Sequence, residues 1–103
     1  MFKNKIDGII EGVKYSPDGK IEYIRAYLRR DMAYSDVIIL QRDELIRRLD
    51  SGEKIFTGKR KKFLGSSFDT HHQIQLIDIQ GDKMIQAGET DQTRDYLEGV
   101  PIF

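Results

Sequence analysis

The first thirty residues alternate between apolar and polar side chains on either side of a strong turn signal. The turn is the segment 16–19, SPDG, in which proline presets φ and glycine accepts the left-handed conformation that closes a three-residue hairpin loop. If Ser16 pairs with Lys20, opposite charges face each other across the strands. The pairs are Lys14–Glu22, Glu11–Arg25 and Asp7–Arg29. We therefore predict a hairpin over about residues 5–15 and 20–30.

This register sorts the side chains of the hairpin onto two faces. The predicted core face consists of Ile6, Gly8, Ile10, Gly12, Ile24, Ala26 and Leu28. The other face carries a Tyr/Arg stripe, which consists of Tyr15, Tyr23, Arg25, Tyr27 and Arg29. One interpretation of the stripe is a binding face, whose rings stack or anchor a partner and whose arginines grip phosphate or carboxylate. The other is cross-strand packing, with each arginine neutralised by an acidic neighbour.

The middle of the chain predicts a strand, a helix and a second strand. Residues 36–41 contain four consecutive apolar side chains, which is typical of a short buried strand. From Arg42 to Ser51 an apolar stripe at helical spacing follows acidic residues in the first turn, and Gly52 is placed to end the helix. Residues 53–64 predict the next strand.

A short basic run interrupts that strand, formed by Lys59, Arg60, Lys61 and Lys62. Four cations beside an aromatic residue are typical of a nucleic-acid-binding rail, on which each lysine or arginine contacts a phosphate. Lysines also protect exposed strand edges against pairing with another chain. The run therefore leaves two hypotheses open, nucleic-acid binding and edge protection.

The C-terminal third predicts a second hairpin and a short helical turn. The hairpin spans residues 72–80 and 83–88 around Gly81-Asp82, whose leading glycine favours a type II′ turn. Asp91 is placed to cap a helical turn that runs through Leu97. The apolar segment 100–103 is expected to dock, either back onto the same domain or into a neighbouring subunit.

The order of these elements predicts a mainly β, β-rich α+β fold. It matches a small antiparallel barrel, OB-like or SH3-like, with one helix between strands 3 and 4 and a short C-terminal helical turn. This is an architectural analogy, and fold alone does not define function. With 103 residues and no linker-like segment, the chain is expected to form a single domain over 1–103.

Composition narrows the function classes without choosing one. The chain has 17 basic and 17 acidic residues, but residues 51–64 have a net charge of +4 and residues 65–103 a net charge of −5. Neutrality argues against a general polyanion binder and leaves room for a local one. The absence of cysteine excludes disulfides and thiol chemistry. A polar N-terminus and short apolar runs favour a cytoplasmic protein without a membrane span.

The sequence gives only weak indications of a catalytic site. Asp69 and His71 share a face of an extended segment, which would suit a small hydrolase or lyase. The adjacent His71 and His72 point to opposite faces of a strand, however, and no third ligand has a recognisable spacing, so we predict no metal and no cofactor. The sequence favours a non-enzymatic binding or adaptor module acting through protein–protein contact, including a homodimer. The alternative is a nucleic-acid-binding barrel that uses the Tyr/Arg stripe and the basic run.

Overall fold

The computed structural model describes residues 6–30, 33–60, 68–88 and 94–103. In this part of the chain there are nine strands and one helix. Their bounds are β1 Gly8–Tyr15, β2 Ile21–Arg30, β3 Ala33–Tyr34, β4 Ile38–Gln41, α1 Arg42–Asp50, β5 Ile55–Arg60, β6 Phe68–Gln73, β7 Gln75–Ile79, β8 Asp82–Ala87 and β9 Tyr96–Leu97.

The strands are arranged in two sheets. Six strands form one sheet with the order β3-β2-β1-β5-β6, and β4 also pairs with β2. The other sheet has the order β7-β8-β9. The mainly β prediction with one helix is confirmed, whereas the two sheets that the described residues form are not closed into a barrel.

The prediction that all strands pair in antiparallel fashion is wrong. β1 is antiparallel to β2 but parallel to β5, and β8 is parallel to β9. A parallel pair requires a crossover connection, and the segment containing α1 supplies one between the first hairpin and β5. The helix follows the fourth strand and not the third, because the two-residue strand β3 precedes β4.

The first hairpin has the predicted loop but a different register in its middle. The Ser16 N–H donates to the carbonyl oxygen of Lys20 at 2.7 Å, as expected for the three-residue loop. The register then shifts by one residue twice, because β-bulges insert Glu11 and Glu22 as extra residues. Neither glutamate is therefore directly opposite its predicted partner.

The two bulges change which side chains enter the core. Each extra residue reverses the alternation of the strand, so that Val13, Tyr15 and Ile21 turn inward and Gly12 turns outward. Buried residues from both sheets and from α1 then share one cluster. Its members are Ile10, Val13, Ile21, Ile24, Ala26, Leu40, Leu45, Ile55, Ile74, Ile85, Ala87 and Leu97.

Helix α1 agrees with its prediction. Leu45 is fully buried, Ile46 and Leu49 pack partly against the core, and Gly52 follows the C-terminus with a φ of 94°. Arginines in its last turn complement the negative end of the helix dipole. No helix in the described residues is long and apolar enough to cross a membrane.

The second hairpin forms one residue earlier than predicted. Ile79 pairs with Asp82, so the loop is Gln80-Gly81, and both residues have positive φ (53° and 87°). This combination is typical of a type I′ turn and replaces the predicted type II′ turn. The predicted strand 72–80 is also divided, because Ile74 lies between β6 in the first sheet and β7 in the second.

The predicted C-terminal helical turn is wrong for the described residues. Tyr96–Leu97 form β9, which pairs in parallel with β8, and Asp91 lies outside the described residues. The physical reason is the neighbouring Asp95, whose side chain bonds to the backbone of other strands and holds this segment extended against them.

Asp95 is the centre of a buried ion pair. Its carboxylate is completely inaccessible and accepts the N–H groups of Ile21 and Ile85 at 2.7 and 2.9 Å. It also accepts hydrogen bonds from Nε and Nη2 of Arg42, at 2.7 and 3.1 Å. The same Nη2 donates a hydrogen bond to the carbonyl oxygen of Lys83 at 2.6 Å. This carboxylate holds the pKa of the Arg42 guanidinium above its ordinary value. The pair therefore ties together β2, α1, β8 and the C-terminal segment.

We predict that Asp95→Ala lowers the free energy of unfolding by about 3–5 kcal/mol, because it leaves a cation and two buried N–H groups without their acceptor. Urea unfolding at neutral pH measures this loss. The control is Asp50→Ala, which breaks the exposed 2.9 Å pair with Lys83 Nζ and is expected to cost less than about 1 kcal/mol. Equal losses for the two variants would contradict the role of the buried pair.

Candidate interaction surface

Four residues of the Tyr/Arg stripe lie on the side of the first sheet that faces away from the core. Tyr23, Arg25, Tyr27 and Arg29 alternate along β2 with the inward-facing Ile24, Ala26 and Leu28. Strand β4 extends this surface, since Ile39 pairs with Arg25 and Gln41 with Tyr23.

On the accessible part of this surface Arg25 lies among apolar side chains, and the exposed Lys14 is paired with Tyr23. Arg25 is exposed, Tyr23 is half-buried, and Val37 and Ile39 are 44% and 54% exposed. Phe103 joins them from the C-terminal segment with 40% of its surface exposed. We call these five residues, Tyr23, Arg25, Val37, Ile39 and Phe103, the outer face.

Phe103 reaches the outer face because its segment docks beside β1. The N–H of Val13 donates to the Pro101 oxygen, and the N–H of Phe103 donates to the Val13 oxygen, both at 2.9 Å. The guanidinium carbon of Arg25 lies 4.5 Å from the centre of the Phe103 ring, which is a cation–π contact. The prediction that the apolar end docks onto its own domain is confirmed.

Glycine at position 12 makes room for this ring. A Cβ atom built on Gly12 would lie 3.1 Å from Cδ1 of Phe103, closer than ordinary van der Waals contact. The bulge at Glu11 places Gly12 on this face, opposite Arg25. The Phe103 ring therefore contacts both the backbone at Gly12 and the guanidinium of Arg25.

The remaining stripe residues are less accessible. Tyr27 is only 7% exposed, and Arg29 is half-buried with its N–H donating to the Asp7 oxygen at 2.9 Å. The structure therefore brings Tyr23 and Arg25 together as surface residues and leaves little of Tyr27 for a partner.

Tyr15 lies on the opposite side of the sheet from the rest of the stripe. Its hydroxyl accepts the N–H of Leu97 at 3.0 Å, and burial raises the pKa of its phenol. Its ring lines a cavity of about 420 Å³ between the first turn and the C-terminal segment, together with Pro17, Tyr96 and Ile102. The bulge at Glu11 separates Tyr15 from the stripe, because it reverses the alternation of β1 and turns Val13 and Tyr15 inward.

The basic run is described only at its beginning. Lys59 is exposed on β5, opposite Asp69 of β6. Arg60 ends β5, and Lys61 and Lys62 lie outside the described residues. The structure therefore places one cation of the run at a surface and does not test the phosphate rail.

Lys59, His71 and Glu11 line a cavity of about 390 Å³. It lies at the edge of β1, where pairing with β5 ends and pairing with the C-terminal segment begins. Thr57 also lines it, but the Thr57 hydroxyl is engaged by the backbone, since it accepts the His72 N–H at 3.1 Å. In the described part of the chain no three His, Asp or Glu residues are grouped to hold a metal ion. The catalytic hypothesis around Asp69 and His71 stays a prediction.

Comparison with protein-family models, with curated proteins and with solved structures finds no match to this chain.

Sequence reasoning missed Asp95, Gly12 and Ile39 as residues that build or support the surface. Asp95 bonds to residues 74 and 53 positions away, so no local pattern marks it. A regular alternation of β1 puts Gly12 on the core face, because the sequence does not show the bulge at Glu11. Ile39 belongs to an apolar run whose pattern predicts burial. The one signal for its exposure is that the run is short and ends where a helix begins, because such a strand can lie at the edge of a sheet.

We predict that Tyr15→Phe lowers the free energy of unfolding by about 1–3 kcal/mol, because the N–H of the buried Leu97 loses its acceptor. Urea unfolding provides the measurement. The matched control is Tyr23→Phe, at a half-buried ring on the outer face, with an expected change within about 0.5 kcal/mol. The role of the Tyr15 hydroxyl would be wrong if both variants unfolded like the wild type.

Proposed function

We propose that this chain is a non-catalytic binding or adaptor module that acts through protein–protein contact, with the outer face as its contact surface. The observation that supports this most directly is the exposure of Val37, Ile39 and Phe103, between 40% and 54%, around Arg25. Grouped apolar side chains on a surface favour contact with another macromolecule, because their exposure to water is unfavourable.

The chemistry of the outer face supports a protein partner. Tyrosine and arginine are enriched at the energetic centres of protein interfaces, where an aromatic ring supplies apolar area and a guanidinium supplies directed hydrogen bonds. Arg25 lies between the Ile39 side chain on β4 and the Phe103 ring beside β1. A partner that covers this centre would contact the cation and both apolar neighbours together.

The position of β4 also supports the proposal. In the described residues β4 pairs only with β2, so it is an edge strand, and it contains no lysine or proline that would discourage pairing with another chain. A homodimer is one form of the proposed contact. We retain the OB-like or SH3-like small barrel as part of the proposal, since the two sheets share one core cluster.

The proposed contact predicts that Ile39→Glu abolishes partner binding, because a carboxylate then has to be desolvated at the centre of the contact. The measurement is comparative capture: tagged wild type and variant are crosslinked in a lysate of the source cells, and bound proteins are quantified. Sedimentation velocity from micromolar to millimolar protein tests the homodimer in parallel. The control is Gln75→Glu, which adds a carboxylate at an exposed position of β7 in the second sheet.

The proposal is supported if a captured protein, or the wild-type dimer itself, is retained by Gln75→Glu and lost with Ile39→Glu. A wild type that stays monomeric and captures the same proteins as both variants would overturn it.

Nucleic-acid binding is the second candidate, favoured by the placement of Tyr23 and Arg25 on one accessible face. Aromatic rings and arginines on a sheet can stack bases, and the exposed Lys59 could contact a phosphate. Two observations argue for the protein partner instead. Tyr27 is buried, and Arg25 already stacks on Phe103.

We predict no measurable binding of labelled single-stranded DNA or RNA, even at low salt. Titrations at two salt concentrations, with fluorescence anisotropy as the readout, test this expectation. Binding that weakens steeply with salt and is reduced in Arg25→Ala and Lys59→Ala would instead establish the nucleic-acid candidate.

A further inference from the structure

We propose that the β1 edge at Gly12 and Val13, together with Arg25, is a binding seat for an extended partner segment in which a proline is followed by an aliphatic and an aromatic residue. In this structure the chain's own residues 101–103 occupy that seat. The inference rests on the proposed protein-binding function and adds the chemistry of the partner segment and its direction, parallel to β1.

The seat has a recognition element for each part of such a segment. Val13 offers one N–H and one carbonyl oxygen, which bond to the backbone of residues 101 and 103 at 2.9 Å. This is the pattern of strand addition at a sheet edge, in which the backbone supplies affinity and side-chain pockets supply selectivity. The selective pocket is the space above Gly12, beside the guanidinium of Arg25.

The edge is available here because β5 leaves β1 early. β5 pairs with β1 only at Gly8, Ile9 and Ile10. The bulge at Glu11 follows at once, and at Val13 the same side of β1 pairs with the C-terminal segment. The seat is therefore a discontinuity in the sheet, where a short stretch of strand edge remains for an extended ligand.

The resident segment is lightly held, which makes it replaceable. Two backbone hydrogen bonds and one cation–π contact join it to the seat. Ile102 remains 71% exposed and Phe103 40% exposed. A turn at Gly99, with a φ of 79°, separates the segment from β9, so the segment can leave the seat without disturbing the buried Asp95–Arg42 pair.

Because residues 101–103 already occupy the seat, they compete with a partner segment and lower its apparent affinity. A tethered segment acts at an effective concentration in the millimolar range, and a free peptide must exceed this to displace it. Removing the aromatic ring of the resident segment should therefore raise the apparent affinity for a free peptide that carries the ring.

The test uses the full chain with Phe103→Ala and a blocked peptide of the sequence GVPIF, which corresponds to residues 99–103. Backbone amide shifts in nitrogen-15 correlation spectra report binding at Gly12 and Val13. We expect the peptide to bind Phe103→Ala about tenfold more tightly than the wild type. The control peptide GVPIA, which lacks the ring, should produce no saturable shifts at these two amides.

Two further variants in the Phe103→Ala background locate the site. Gly12→Val fills the ring pocket and should abolish binding, and Arg25→Met, which keeps the apolar stem at an exposed position, should weaken binding without affecting the fold. Val37→Glu in the same background changes an outer-face residue that is not the cross-strand partner of Arg25, so this variant should bind the peptide normally. Failure of the proposed outer-face contact and failure of the seat are thereby distinguishable.

The proposal is overturned if GVPIF and GVPIA bind Phe103→Ala alike, or if neither shifts the Val13 amide. It is also overturned, in favour of a second copy as the occupant, if the wild type forms a dimer that Phe103→Ala abolishes while free GVPIF does not bind.

Discussion

The carboxylate of Asp95 accepts four hydrogen bonds in a site without solvent access, two from the backbone and two from Arg42. A charge in such a place is tolerated only when its partners are fixed, because the desolvation penalty is large. The N–H groups of Ile21 and Ile85 and the first residue of α1 must consequently meet at one point. The relative placement of the two sheets and the helix depends on this requirement.

The outer face is a consequence of the same constraint. Because Asp95 fixes the start of the C-terminal segment, β9 lies beside β8 and the chain returns over Tyr15 toward β1. Residues 101–103 then reach the edge of β1 that β5 has left, and the Phe103 ring contacts Gly12 and Arg25. A surface results on which Arg25 lies among several exposed apolar side chains.

Local chemistry predicted several elements well. The SPDG loop, helix α1 with its terminating Gly52, and the existence of a second hairpin all depend on interactions within a few residues, so the sequence contains the whole signal. The placement of Tyr23 and Arg25 on one face was also predictable, since both lie on the same side of the bulge-free part of β2. The inward orientation of Tyr15 was not predictable, because the position of a β-bulge depends on what the strand packs against in the tertiary structure. The inward turn of Val13 and Ile21 buries apolar area that a regular register would leave outside.

The sequence by itself determined the loop of the first hairpin, helix α1, the mainly β class and the apolar character of the C-terminal segment, because turn chemistry, periodicity and hydrophobicity act locally or along one strand. The tertiary structure alone decided the parallel pairing of β1 with β5, the two bulges, the role of Asp95 and the seat of Phe103. Each of these joins residues that are distant in the chain. Their energies depend on burial and on completed hydrogen bonds that exist only once the sheets and the helix have come together.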